Sequence, residues 1–283
     1  MKYDRELRFI DNQFKAYFLG FMYGDGCITN YKESTGRVRY VTRISIASAD
    51  KELIDQFSRL FPFLNMRSYD FGKHNSRNGI QYSVTKSSKE LFYDLKSNGL
   101  YPRKSNENKE LLKLPDIDKS LIPHFLRGLF DADGSFYKLK SRQNLIRFEF
   151  CSSSYNLVKD VRNHLNNRGI YEWRLRSKDN SKLPIHKLEI IRTDSVIRLI
   201  DYLYKDADIF MQRKYDKVKN HRKVNKVTDR SIECPNCKSL NTWKNGDRGP
   251  SIRMVCIDCN KGFSVRKDKF QAHVKLGELR GTS

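Results

Sequence analysis

Two aspartates stand at matching points of a repeated nine-residue stretch, FLGFMYGDG from Phe18 to Gly26 and LRGLFDADG from Leu126 to Gly134. Aligned without gaps, Asp25 falls over Asp133, Gly20 over Gly128 and Gly24 over Ala132. The spacing of Leu121, Ile122, Phe125, Leu126, Leu129 and Phe130 predicts a helix, with Ser120 as its N-cap and Gly134 closing it. Asp133 then occupies the last turn, where the helix dipole opposes a negative charge by about 0.3–1 kcal/mol. Small residues four apart on one face allow two such helices to cross with their backbones almost touching. The acids would meet at the bottom of the crossing. Two carboxylates that close repel, so either one stays protonated or a divalent cation sits with them.

A second set of chemistry-bearing residues lies near the carboxyl end. Cys234-Pro-Asn-Cys237 and Cys256-Ile-Asp-Cys259 have the spacing of a closed tetrahedral zinc site, with Asn245-Gly246 between them as a hairpin-turn signal. A zinc ribbon of this size buries little, so structural Zn²⁺ is its core. His273 is an alternative fourth donor. Cys27 and Cys151 lack a partner at ligand spacing and are expected as small buried hydrophobes on strands. The histidines show no ligand or triad spacing.

The whole chain narrows the partner. A net charge of +22 with pI ≈ 9.7 over 283 residues is the footprint of a nucleic-acid binder, whose basic side chains gain by releasing counterions from phosphates. No apolar run approaches the ~20 residues that span a membrane. The start, MKYDRELRFIDNQF, lacks the apolar core of a signal peptide, so a cytoplasmic, nucleoid-associated location is expected. Reducing conditions there favour metal ligation over disulfides for the paired cysteines.

Periodicity predicts the same order of elements after each motif. Strands near 27–32 and 37–47, a helix from Asp50 to Phe61, strands near 66–71 and 80–85 and a helix from Ser88 to Asn98 stopped by Gly99 follow the first motif. Val38, Tyr40, Ile44 and Ile46 point to the core while Arg37, Arg39 and Arg43 share the opposite face, fit for base edges in a major groove. After the second motif come strands near 135–140, 145–151, 170–177 and 184–192, with helices at about 154–167 and 194–204. There Trp173 and Leu175 alternate with Arg174, Arg176 and Lys178. The expected divisions are a first repeat 1–105, a polar connector 106–119, a second repeat 120–220, a basic linker 221–231, the ribbon 232–265 and a basic tail 266–283.

The paired motifs resemble the signature of the LAGLIDADG homing endonucleases, over roughly residues 12 to 220. The resemblance implies an α+β fold: two pseudo-symmetric αββαββα LAGLIDADG repeats forming a DNA-binding β-saddle, followed here by the small zinc ribbon. It implies Mg²⁺ at Asp25 and Asp133, and active-site lysines for which Lys104 and Lys214 are the best matches, ordering water or neutralising charge. Asp131 keeps the first acid of the signature and Tyr23 replaces it in the other copy, a change expected to cost little. Ser48, Ser152 and Ser153 stand where some members carry glutamine or a similar polar residue. The ribbon resembles that of insertion-sequence transposases. The implied function is a monomeric, site-specific double-strand DNA endonuclease acting on a long, near-unique target. Alternatives are an intron maturase that binds RNA and a non-catalytic DNA-binding regulator, the latter disfavoured by an acid in both motifs.

Overall fold

The computed structural model describes residues 2–47, 50–70, 79–139, 142–171, 174–178, 184–219, 232–236, 242–256 and 261–270. Ser48, Trp173, Cys237, Cys259, His273, the loop 71–78 and the linker 220–231 lie outside them, as do the tail beyond 270 and the side chains of Arg174 and Lys178. The chain divides into two compact units, Met1–Arg222 and Lys223–Ser283.

In the first unit the order runs α1 (Gln13–Gly24), β1 (Gly26–Lys32), β2 (Val38–Ala47), α2 (Lys51–Leu60), β3 (Asn65–Asp70), β4 (Ile80–Lys86) and α3 (Lys89–Ser97). It repeats as α4 (Ile122–Asp133), β5 (Gly134–Leu139), β6 (Arg142–Ser152), α5 (Tyr155–Asn166), β7 (Arg174–Lys178), β8 (Ile185–Ile190) and α6 (Thr193–Tyr204), with α7 (Gln212–Val218) appended. Each half builds a four-stranded antiparallel sheet, β1-β2-β4-β3 and β5-β6-β8-β7. This is a mixed α/β fold of two αββαββα repeats.

The two motif helices begin differently. Asn12 caps α1, its side-chain oxygen accepting from Phe14 N at 3.0 Å and Lys15 N at 3.1 Å. Ser120 does not cap α4: it lies one residue before the boundary, its amide and hydroxyl both donating to Asp118 Oδ1. The helix starts instead after Leu121, with Pro123 in the first turn, where a missing N–H costs nothing. At the far end Gly134 closes α4 in extended backbone (φ −91°) and opens β5 directly.

Alternation sorts the sheet faces. In β2, Thr42, Ile44 and Ile46 are buried against Leu53, Ile54 and Phe57 of α2 and Leu91 and Leu95 of α3, each large apolar side chain contributing about 1.5–3 kcal/mol by leaving water. Val38, expected inside, is exposed, because the strand outruns the helices that cover it. Cys27 is also exposed and Cys151 only half-buried. Their neighbours Ile28 and Phe150 take the inward positions, so strand alternation turns both cysteines outward. In the second half Phe130 of α4 packs on Phe148 and Phe150 with ring centroids 4.7 and 5.2 Å away.

The connector is docked. Ser154 Oγ accepts from Leu157 N to cap α5 and donates to Leu112 O at 2.8 Å, and Asn156 Nδ2 donates to Glu110 O.

In the second unit, β9 (Thr242–Arg248), β10 (Ser251–Cys256) and β11 (Gly262–Arg266) form an antiparallel sheet in the order β11-β10-β9. Asn245-Gly246 is not the hairpin turn. It lies inside β9, where Gly246 (φ +104°) makes a bulge opposite Arg253: β10 advances from Ile252 to Met254 while β9 runs from Asp247 to Lys244. Gly249 and Pro250 make the turn, with Arg248 facing Ser251. Cys234, Ile252, Met254 and Cys256 are buried.

Candidate active site

The crossing of α1 and α4 is set by glycine. A Cβ built on Gly20 would lie 1.9 Å from Phe125 O, and one on Gly128 would lie 2.0 Å from Tyr17 O. Each glycine therefore seats the other helix's backbone, and these two contacts exchange under the internal repeat. One turn on, a Cβ on Gly24 would meet the Ala132 methyl at 2.3 Å and Asp133 Oδ2 at 3.2 Å, so the Asp133 carboxylate reaches over the last turn of α1. Asp25 caps that turn, its amide donating to Phe21 O. The acids are thus brought together where each motif helix hands the chain to the first strand of its sheet.

Burial dominates their electrostatics. Asp133 is pushed up to about 6, first by desolvation and then by the charge of Asp25, while Lys104 and Lys214 pull the other way. Burial also raises Asp25, opposed by Lys104 and Lys214 and aided by Asp50. Both lysines are depressed by burial, against the pull of nearby acids.

The lysines reveal what offsets the helix dipoles. Lys214 Nζ lies within hydrogen-bond reach of Asp131 O (2.6 Å), Gly134 O (2.7 Å), Phe130 O (3.0 Å) and Ala132 O (3.3 Å) where α4 passes into β5, its three N–H groups shared among them, and Phe130 O also accepts from Gly134 N. Lys104 Nζ donates to Gly24 O at the end of α1. An ammonium at a helix C-terminus complements the dipole there, which lowers the cost of placing carboxylates beside it.

The first acids of the motif diverge. Asp131 is buried and pushed up to about 6 by desolvation; it accepts from Tyr17 OH (2.8 Å) and Met211 N (2.8 Å), with Tyr204 OH at 3.4 Å. Tyr23 instead donates to Asn98 O at 2.9 Å and sets its ring edge-on to Phe125, centroids 4.9 Å apart. Phe125 is the repeat's counterpart of Tyr17, so a polar pair on one side of the crossing replaces an aromatic pair on the other. Gly99 accommodates this: its φ of +84° ends α3, and any Cβ would lie 2.3 Å from Tyr23 OH.

Two charged features escaped the sequence reading. Arg127, buried in α4, donates to Ile209 O and Leu203 O at 2.7 Å. Asp50 of the first half takes Arg213 Nε (3.1 Å) and Nη2 (2.9 Å) from the second, immediately before Lys214. Neither has a local signal, because the partners lie far apart in the chain.

On the outward sheet faces Arg39 and Arg43 share one side of β2 and Arg37 precedes it; Arg37 and Arg43 are exposed, whereas Arg39 Nε is held by Glu33 at 2.7 Å. Arg67 of β3, not anticipated, joins that face. Arg174, Arg176 and Lys178 share one face of β7, and Arg176 is exposed. Ser152 Oγ accepts from Ser154 N at 3.2 Å, and Ser153 is half-buried.

The metal question turns on the donor set. Among the described residues no group of three or more His, Cys, Asp and Glu forms a cation site. Two mutually repelling carboxylates, partly desolvated yet open to solvent, nonetheless fit Mg²⁺, which characteristically takes one or two protein carboxylates and completes its shell with water and phosphate oxygens.

A family model described as LAGLIDADG-like domain matches residues 12–98 and 121–204. Among solved structures, the meganuclease I-SmaMI bound to an uncleaveable DNA with a TTGT central four is similar at a TM-score of 0.50 and 15% identity, covering 74% of this chain and 89% of that one. I-AabMI bound to uncleaved DNA is similar at 0.48 and 16%, covering 76% and 90%. I-DmoI in complex with DNA and Mn is similar at 0.47 and 20%, covering 67% and 95%. No curated protein sequence matches the chain. With both repeats matched over more than half its length, and their motif helices crossed through paired glycines, this chain belongs to the LAGLIDADG-like domain family.

Proposed function

We propose that the chain is a monomeric, site-specific double-strand DNA endonuclease that binds Mg²⁺ between Asp25 and Asp133. The observation that carries this reading is the meeting of the two aspartates, each raised by desolvation, where the two motif helices pass into the first strands of their sheets, in a chain of net charge +22. Bound there, a divalent cation supplies charge stabilisation to the attacking and leaving oxygens of a phosphodiester. The protein's own part is to hold both carboxylates rigidly. Lys214, already shared among four carbonyls, acts by fixing the end of α4 and by its charge; Lys104, with a single carbonyl partner, retains N–H groups to orient a water. Arg37, Arg43, Arg174, Arg176 and Lys178 contact DNA, with Arg39 a lesser contributor while Glu33 holds it.

In the same reading the Cys234, Cys237, Cys256 and Cys259 thiolates hold structural Zn²⁺. Burial of both Cys234 and Cys256 beside the short sheet supports it. The basic linker 221–231 and tail 266–283 follow phosphates, and residues 1–220 carry the chemistry.

The test is to incubate the full chain with a randomised duplex library and Mg²⁺ and to sequence the cut ends, with an RNA library in parallel. Discrete double-strand ends at one sequence are expected. Asp25→Asn and Asp133→Asn should abolish them while leaving DNA binding intact. An uncut DNA library with selective RNA binding, or normal cutting by either variant, overturns the proposal.

A further inference from the structure

The two sheets offer opposite chemistry at matching places on their outward faces. Gly26 faces Ile44 in the first half and Gly134 faces Phe150 in the second, so Arg43 corresponds to Glu149. One strand further, Thr85 corresponds to Glu189 and Ser83 to Lys187; at the edge, Arg67 corresponds to Arg176. On the first face Arg43 and Arg67 are the exposed groups, with Ser83 and Thr85 buried between them. The second centres on two carboxylates that share Lys187, whose Nζ lies 2.6 Å from Glu149 Oε2 and 3.4 Å from Glu189 Oε1, while Arg176 Nε lies 3.4 Å from Glu189 Oε2.

Carboxylates on a face meant for phosphates weaken affinity, and phosphate offers them no proton to accept. Base edges do. In the major groove the exposed donors are the amino groups of cytosine and adenine, and Glu accepting from cytosine N4 is the matching pair, as arginine to guanine is for the first face. Each ionised carboxylate has about four lone-pair sites, so the ion pairs seen here leave acceptor capacity. Glu149 keeps 29% of its side chain exposed. Pairing with Lys187 cancels most of the repulsion toward DNA and fixes the direction of the remaining lone pairs. Glu149 faces Ser135, two residues beyond Asp133, and Arg43 faces Cys27, two beyond Asp25. With DNA on these faces and the cut at the aspartates, both positions would fall over the inner base pairs.

We propose that Glu149 and Glu189, oriented by Lys187 and Arg176, are specificity-determining acceptors that take amino-bearing base edges, cytosine first, in the half-site under the second sheet, whereas Arg43 and Arg67 take guanine under the first. This rests on the DNA reading above. It has a particular consequence for the target: dyad symmetry breaks at the inner positions, where one half-site presents guanine and the other cytosine to equivalent side chains.

The experiment selects bound sequences from a fully randomised duplex library with the full chain in EDTA, for wild type, Glu149→Gln, Glu149→Arg and Glu189→Gln. Glu149→Gln should move the inner preference of one half-site from cytosine toward adenine, and Glu149→Arg toward guanine, each by roughly five- to a hundredfold. The other half-site should not change. Glu149 is the more exposed of the two glutamates, so its variants carry the test even where Glu189→Gln fails to fold. An unchanged consensus with a lowered melting temperature shows the network to be structural only and overturns the proposal, as does a shift in both half-sites together. A wild type that selects no consensus overturns the DNA reading itself.

Discussion

The two motif helices reach the same geometry with different chemistry. The end of α1 is finished lightly, with one lysine contact to one carbonyl, an aromatic pair between Tyr23 and Phe125, and a backbone bond to Asn98. The end of α4 is finished with charge: a buried lysine spread over four carbonyls, a buried aspartate taking a tyrosine and a backbone amide, and a buried arginine two turns earlier. What stays common to both is the glycine seat and the terminal acid. Backbone proximity leaves no alternative residue, whereas the surrounding shell only has to satisfy polar groups and fill space, which several chemistries can do.

The comparison can be broken first at its symmetric part. Gly20→Ala and Gly128→Ala each drive a methyl into a carbonyl that belongs to a rigid helix, so both should lose about 4 kcal/mol or more and fail to give folded protein at 37 °C, as read by circular dichroism. A stable, cooperatively melting Gly128→Ala would show that the crossing can open.

Next comes the lysine asymmetry. Lys214→Met strips a buried charged donor from the carbonyls where α4 passes into β5 and should cost about 2–4 kcal/mol, against about 1 kcal/mol for Lys104→Met. Urea midpoints measure the difference, and equal losses would mean that the extra carbonyl contacts of Lys214 contribute nothing. Smaller again, Tyr17→Phe should cost about 1–2 kcal/mol by leaving Asp131 short of a donor, and Tyr23→Phe about 1 kcal/mol or less.

The smallest effect is a pH slope confined to the second half. His124 and His164 are both depressed to about 4, by burial first and then by Arg127 and Arg168 respectively. The unfolded chain therefore binds more protons than the folded one between about 6.5 and 4, and these histidines withdraw stability as pH falls through that window. Asp131 and Asp133, raised to about 6, act in the opposite sense, so the effect must be isolated by comparison at each pH. The melting-temperature advantage of wild type over His124→Asn with His164→Asn should shrink from pH 7 to pH 4.5. A constant gap would place neither histidine in that role.

Much of this was legible beforehand because it is periodic or repeated. The motif helices, their small faces, both terminal acids and nearly every strand follow from spacing alone, and alternation put Arg43 and Arg176 on outward faces. What escaped was competition between neighbours and pairing across the chain. Ser120 has the type of an N-cap, yet the helix boundary falls one residue later, at Leu121, and the Ser120 hydroxyl is turned to Asp118. Asn245-Gly246 has the conformational freedom of a turn, and the strand uses it for a bulge while Gly249-Pro250 turns the corner. Lys214 was matched only as an active-site lysine, because nothing local shows that the carbonyls at the end of α4 converge on it. The glutamates on β6 and β8 went unread because a search for DNA contacts looks for positive charge.

The glycine seats bear on how such a chain could be recombined. Because the carbonyl of each helix fills the hole left by the other's missing side chain, neither half carries a finished surface of its own at the crossing. A chimera that grafts one repeat onto a foreign partner would therefore have to import a helix whose own glycine and carbonyl fall in the same places, and the natural breakpoint for exchange is the helix pair as a whole, never the connector that joins the halves in sequence.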